Sequence, residues 1–98
     1  AILNTHPAIY RSALVGLGES SHQVPVFVAE PWPEHWPKTS DRQQRLVKEL
    51  QSLARKHDLT RSVEHVLLKQ HLPVDIRHNS KIFREKLAPW AAKKLGVS

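Results

Sequence analysis

Residues 72–87 read LPVDIRHNSKIFREKL, and the fold turns on how this stretch divides. Leu72-Pro73 is a stop signal: proline offers no N–H to a ladder and biases the residue before it toward extended backbone. A short polar loop, His78-Asn79-Ser80, follows and presents one lysine, Lys81. From there apolar residues return at helical spacing, at Ile82, Phe83 and Leu87. A strand therefore enters the stretch, a helix leaves it, and a cation stands at the junction. On composition alone, the favoured reading of Lys81 is one solvated basic residue among 15 Lys and Arg.

Downstream, Pro89 is expected to restart a helix at its first position, where the missing N–H is harmless. Trp90, Ala91 and Leu95 continue the apolar face and Gly96 is a natural C′ residue. Upstream, residues 61–70 alternate, with Val63, His65 and Leu67 on one side and Glu64, Val66 and Leu68 on the other, which predicts a strand. Residues 41–57 give the clearest helix. Leu46, Val47, Leu50, Leu53 and Ala54 form one stripe, and Thr39, Ser40 or Asp41 can cap it. Arg55 and Lys56 in its last turn suit the helix dipole.

Residues 31–38, PWPEHWPK, hold three of the seven prolines and two of the three tryptophans. They predict a stiff connecting loop, with Trp32 and Trp36 covering the domain's own core or docking a partner. SALVGL (12–17) and VPVFVAE (24–30) flank a Gly/Ser-containing connection and predict a β-hairpin, with Pro25 at a strand start or an outer edge. Residues 1–5 look like the end of a helix stopped before His6-Pro7. The order is helix end, strand, strand, helix, strand, lysine loop, helix. That is an α+β domain, a small sheet of about three strands with helices packed on it.

The 98 residues make one domain or a fragment of one. The absence of an initial Met suggests a trimmed chain, whose targeting segments could have been lost. A composition of 40% hydrophobic and 24% charged residues is that of a soluble globular domain. No apolar run approaches the length of a membrane span, and no signal peptide is visible. There is no cysteine, which excludes disulfides and thiolate chemistry and fits a cytoplasmic protein. The net charge of +6 favours anionic partners. It concentrates late, where Lys69, Arg77, Lys81, Arg84, Lys86, Lys93 and Lys94 face only Asp75 and Glu85.

Most catalytic signatures are missing. The histidines, at 6, 22, 35, 57, 65, 71 and 78, make no H-x-x-x-H pair, so no metal site is expected. Glycines only at 16, 18 and 96 fit neither GxGxxG nor a P-loop, and no nucleophile elbow occurs.

What remains is the lysine stretch. Leu72-Pro73, a polar turn, then Lys81-Ile82-Phe83-Arg84 and a closing Leu87 resembles the last motif of adenylate-forming enzymes: the acyl-CoA synthetases, peptide-synthetase adenylation domains and luciferases. That motif usually runs Leu-Pro, several residues, Ser-Gly-Lys, then Ile-Leu-Arg-Arg-Glu-Leu. The beginning agrees as well. NTHPAIYRSALVGL (4–17) is similar to the family's H-P-x-V run, with His6, Pro7, Ile9, Val15 and Gly16 in place, and residues 24–28 match the strand after it. One departure is Asn79-Ser80, where the family has Gly before the lysine; Asn tolerates left-handed backbone better than most residues. The run VDIRHNSKIFREKLAPWA looks most like the branch of β-lactone synthetases of bacterial olefin biosynthesis.

The resemblance implies that residues 1–98 are the mobile C-terminal subdomain, or lid, of a larger enzyme whose N-terminal nucleotide-binding domain is outside this chain. It implies ATP-dependent activation of a fatty acid, expected to be β-hydroxylated, through an acyl-adenylate, followed by β-lactone formation. Lys81 takes the catalytic role and His78, Asn79 and Ser80 position it. ATP and Mg2+ would be bound mainly by the N-terminal domain, and the isolated fragment would be inactive. Implied partners are that domain, the fatty acid and other enzymes of the same pathway, with no nucleic acid and no membrane span. Asp75, Arg77 and His78 either set the loop or are solvated, and Arg84 reads as a helix-surface residue. Competing expectations are the lid of an acyl-CoA ligase, a small basic nucleic-acid-binding module, and a docking domain using Trp32 and Trp36.

Overall fold

Val24–Pro31 (β2) runs through the middle of the molecule. In the computed structural model, which describes residues 2–19, 21–75, 77 and 81–96, its neighbours are Ile9–Leu17 (β1), antiparallel, and His65–Leu68 (β3), parallel. The expected hairpin is therefore present, with Leu17 opposite Val24 and Leu14 opposite Phe27. Gly18 follows β1 at φ +95°, a backbone state that a residue with a Cβ adopts at a cost. Pro25 lies at the start of β2, ahead of Val26, where β3 joins.

β2 is apolar almost throughout because helices cover both its faces. Phe27 and Ala29 pack with Leu46, Leu50 and Ala54 of Ser40–Arg55 (α1), and with Leu3, Ile9, Val63 and Val66. Val26 and Val28 pack with Leu87 and Ala91 of Arg84–Leu95 (α2), and with Ala13, Val15, Leu17 and Leu72. A register shift between Ile9 and Arg11 inverts the alternation of β1, so Ile9 joins the α1 core while Ala13, Val15 and Leu17 join the α2 core.

The apolar stripe of α1 is the one the sequence predicts. Thr39, one of three candidate caps, accepts the Arg42 N–H at 3.2 Å. The helix stops at Arg55 rather than at 57, and buried Thr60 donates its hydroxyl to the Ala54 carbonyl at 2.6 Å, satisfying a terminal acceptor. β3 is shorter than the expected 61–70, because the residues up to 62 form turns leading out of α1.

Other expectations are corrected. Pro89 does not begin a helix; it sits inside a continuous α2. Its ring leaves the Glu85 carbonyl without an i+4 donor, and the buried Leu87–Ala91 face holds the helix together across it. Gly96 does end it, at φ +72°. Trp32 does not cover the core: 40% exposed, it stacks on Tyr10 with ring centroids 4.3 Å apart. Trp36 is half-buried after a 3-10 turn at Pro33–His35, and Pro31 and Pro37 are the buried residues of that loop. At the start, Ile2–Thr5 is a 3-10 turn whose Leu3 is fully buried. Unforeseen is a second ladder, Val74–Asp75 (β4) antiparallel to Lys81–Ile82 (β5). The fold is thus α+β, with a three-stranded sheet between two helices and a two-stranded hairpin beside it.

Candidate functional site

Lys81 opens β5 directly opposite Asp75. Alternation along a strand decides where it points. Its neighbour Ile82 and the facing Val74 pack against the α2 core, so Lys81 is directed to solvent. No ion pair or hydrogen bond holds it among the described residues. The lysine is exposed, on a hairpin too short to be stable alone.

The base of that hairpin supplies what its length does not. Leu72 is buried in the α2 core, and its N–H donates to Glu30 Oε1 at 2.8 Å. Pro73 offers its carbonyl to the Phe83 N–H at 2.9 Å, closing the loop where β4 begins and β5 ends. Phe83 then accepts the N–H groups of Lys86 and Leu87, at 3.0 and 3.3 Å, and starts α2. Arg84 is exposed on that helix, as expected, but is not idle: its Nε donates to the Leu14 carbonyl of β1 at 3.3 Å.

Within the loop the Asp75 carboxylate accepts the Arg77 N–H at 3.0 Å, a local turn contact that helps to set the loop. The Arg77 guanidinium lies 3.9 Å from the same oxygen and is 90% exposed. His78, Asn79 and Ser80, expected to position the lysine, lie outside the described residues. The hairpin and first turn of α2 carry Arg77, Lys81, Arg84 and Lys86 against Asp75 and Glu85, a field that attracts anions.

A cleft of about 470 Å3 lies elsewhere. It is lined by His6, His35, Lys38, Arg42, Arg45 and Glu49 among others, with His6 Nε2 2.7 Å from Glu49 Oε1. Lys81 is not among its walls, so the candidate site lies on the anchored hairpin, outside this cleft. Among the described residues no group of three His, Cys, Asp or Glu could hold a metal ion. None of their helices is long and apolar enough to cross a membrane.

Sequence reasoning missed Glu30. It is a 4% exposed carboxylate that takes Arg11 Nε at 2.7 Å and Nη2 at 3.4 Å as well as the Leu72 amide. The available signal was an acid closing an otherwise apolar strand, with an arginine on the strand before it.

A solved acyl-CoA synthetase from Brucella canis has this fold over 96% of the chain and 16% of its own, with a TM-score of 0.69 and 21% identity. The fold is thus one that also occurs as a segment of a larger acyl-CoA synthetase. No family model matches the chain. In sequence it is related to the olefin beta-lactone synthetase of Xanthomonas campestris pv. campestris, 39% identical over 93 residues, which are 95% of this chain and 16% of that protein. The olefin beta-lactone synthetase of Stenotrophomonas maltophilia is 41% identical over 98 residues, 96% of this chain and 16% of that one. The chain therefore spans 16% of the length of the curated relatives it matches.

Proposed function

We propose that this chain is the C-terminal lid of an adenylate-forming enzyme and that Lys81 is its catalytic lysine. One observation carries the reading: Lys81 points outward from a hairpin pinned at its base, unpaired among the described residues. In the first step a substrate carboxylate oxygen attacks the α-phosphate of ATP. A bond forms to phosphorus, the bond to pyrophosphate breaks, and the acyl-adenylate remains. An ammonium aimed at those oxygens stabilises charge developing there and orients the carboxylate. Lysine suits the task as a compact charge on a long flexible stem.

The substrate is a β-hydroxy fatty acid, a reading supported by the kinship to olefin beta-lactone synthetases. In the second step its hydroxyl oxygen gives up its proton and attacks the activated carbonyl, the bond to AMP breaks, AMP leaves and a β-lactone closes. Lid motion carries Lys81 in for the first step and away afterwards. ATP and its Mg2+ belong mainly to the N-terminal domain. Supplying ATP and a 3-hydroxy fatty acid to the complete enzyme should give pyrophosphate, AMP and a β-lactone without CoA. A thioester formed only when CoA is added would reassign the chain to an acyl-CoA ligase.

A further inference from the structure

Glu30 is a buried carboxylate on the central strand, far from Lys81 in sequence and with no part in the chemistry just described. Arg11 lies directly opposite it in the β1–β2 register and grips both its oxygens. A buried pair of this kind leaves carboxylate lone pairs that further hydrogen bonds must satisfy. Oε1 takes one such bond, 2.8 Å long and buried, from the Leu72 N–H. Leu72 is where the chain, having left β3, turns into the lysine hairpin. Immediately after it, Pro73 has no N–H to give, and its carbonyl is committed to Phe83. The Leu72 amide is therefore the last main-chain donor through which the sheet holds β4 before the hairpin departs.

From the anchor to the lysine is a short lever. Asp75, the cross-strand partner of Lys81, is three residues beyond Leu72, or about 10 Å at strand rise. A carboxylate suits the anchor because a hydrogen bond to a charged acceptor is shorter and stronger than a neutral one. Arg11, 19% exposed at its side chain, holds Glu30 in the orientation that presents Oε1 to Leu72.

We propose that Glu30, held by Arg11, is a positioning residue for the adenylation step: it fixes the foot of the β4–β5 hairpin and so sets where Lys81 arrives. The proposal rests on the assignment of Lys81 made above. It separates Glu30 from residues that only stabilise the fold, because Lys81 acts in the first half-reaction and is withdrawn for the second.

The experiment uses the complete enzyme and measures the two half-reactions apart: pyrophosphate release from ATP and a 3-hydroxy fatty acid, and lactone release from chemically prepared acyl-adenylate. Three variants are compared with Lys81→Ala. Glu30→Gln keeps an oxygen for Leu72 but removes the charge that orders Arg11. Glu30→Ala removes both contacts. Arg11→Met with Glu30→Leu replaces the pair by apolar groups, which protects the fold, and leaves Leu72 without its acceptor.

Glu30→Ala and the double variant are expected to slow the first half-reaction by about a hundredfold, the scale of a misplacement near 1 Å. Glu30→Gln should slow it less. KM for ATP and for the acid should stay put, and the rate from supplied acyl-adenylate should be that of the unaltered enzyme. Circular dichroism and the unfolding midpoint show that the double variant is folded. Equal loss in both half-reactions would make Glu30 a structural residue and overturn the proposal, as would full adenylation by the folded double variant. Full adenylation by Lys81→Ala would sink the lysine assignment and this inference with it, whereas loss in Lys81→Ala alone would sink only this inference.

Discussion

The three-stranded sheet and the β4–β5 hairpin are both β-structure, held by opposite means. In the sheet, β2 is buried on both faces and pairs on both edges, so two apolar cores fix its register. The hairpin has two residues in each strand, with only Val74 and Ile82 packed inward. Polar contacts at its foot do the rest: Leu72 to Glu30, Phe83 to Pro73, Arg84 to Leu14. Stability therefore resides in one part and the proposed catalytic lysine in the other. The proposed lid role is served by this division, because the lysine is exposed without loosening the body that carries it.

Four substitutions test the division, from the largest effect to the smallest. Lys81→Ala in the complete enzyme should cut adenylate formation by about a hundred- to a thousandfold, the usual consequence of removing a transition-state donor. The 98-residue chain bearing it should unfold in urea at an unchanged midpoint, and a shifted midpoint would mean that the lysine also serves the body. Leu50→Ala, at a fully buried α1 position, should destabilise the chain by about 3 kcal/mol through lost transfer energy and a cavity. A full-activity enzyme with that loss would confirm that the body tolerates damage the hairpin does not feel.

Pro89→Ala should act in the other direction. It restores an N–H for the Glu85 carbonyl and should raise stability by up to about 3 kcal/mol, read from the same urea curves. Thr39→Ala should cost about 1 kcal/mol by removing the acceptor of the Arg42 N–H. An activity change in either exposed variant beyond its stability change would blur the boundary between body and hairpin.

The body was legible in the sequence because periodicity writes it there. The stripe Leu46, Leu50, Ala54, the β-branched run VPVFVAE and the glycine at 96 each signal one local state, and each is found in that state. The parallel pairing of β3 with β2 was not legible, since alternation reports which face a residue occupies and not which strand lies beside it. The β4–β5 ladder escaped because two residues cannot display a period of two. Pro89 was misread because its local preference for a helix start was outweighed by the packing of Leu87 and Ala91 on either side. Lys81 was singled out through the resemblance of residues 72–87 to a family motif, whereas the anchoring of its hairpin came only from the fold. Glu30 stayed invisible because the amide it holds is 42 positions away.

The main-chain bond from Phe83 to Pro73 has a consequence of its own. Whatever the residues between them do, the chain leaves the domain and comes back at the same two points, a fixed doorway. Inside it, substitutions at Asp75, Arg77 and Lys81, which do not belong to the α2 core, need not move the helix beyond.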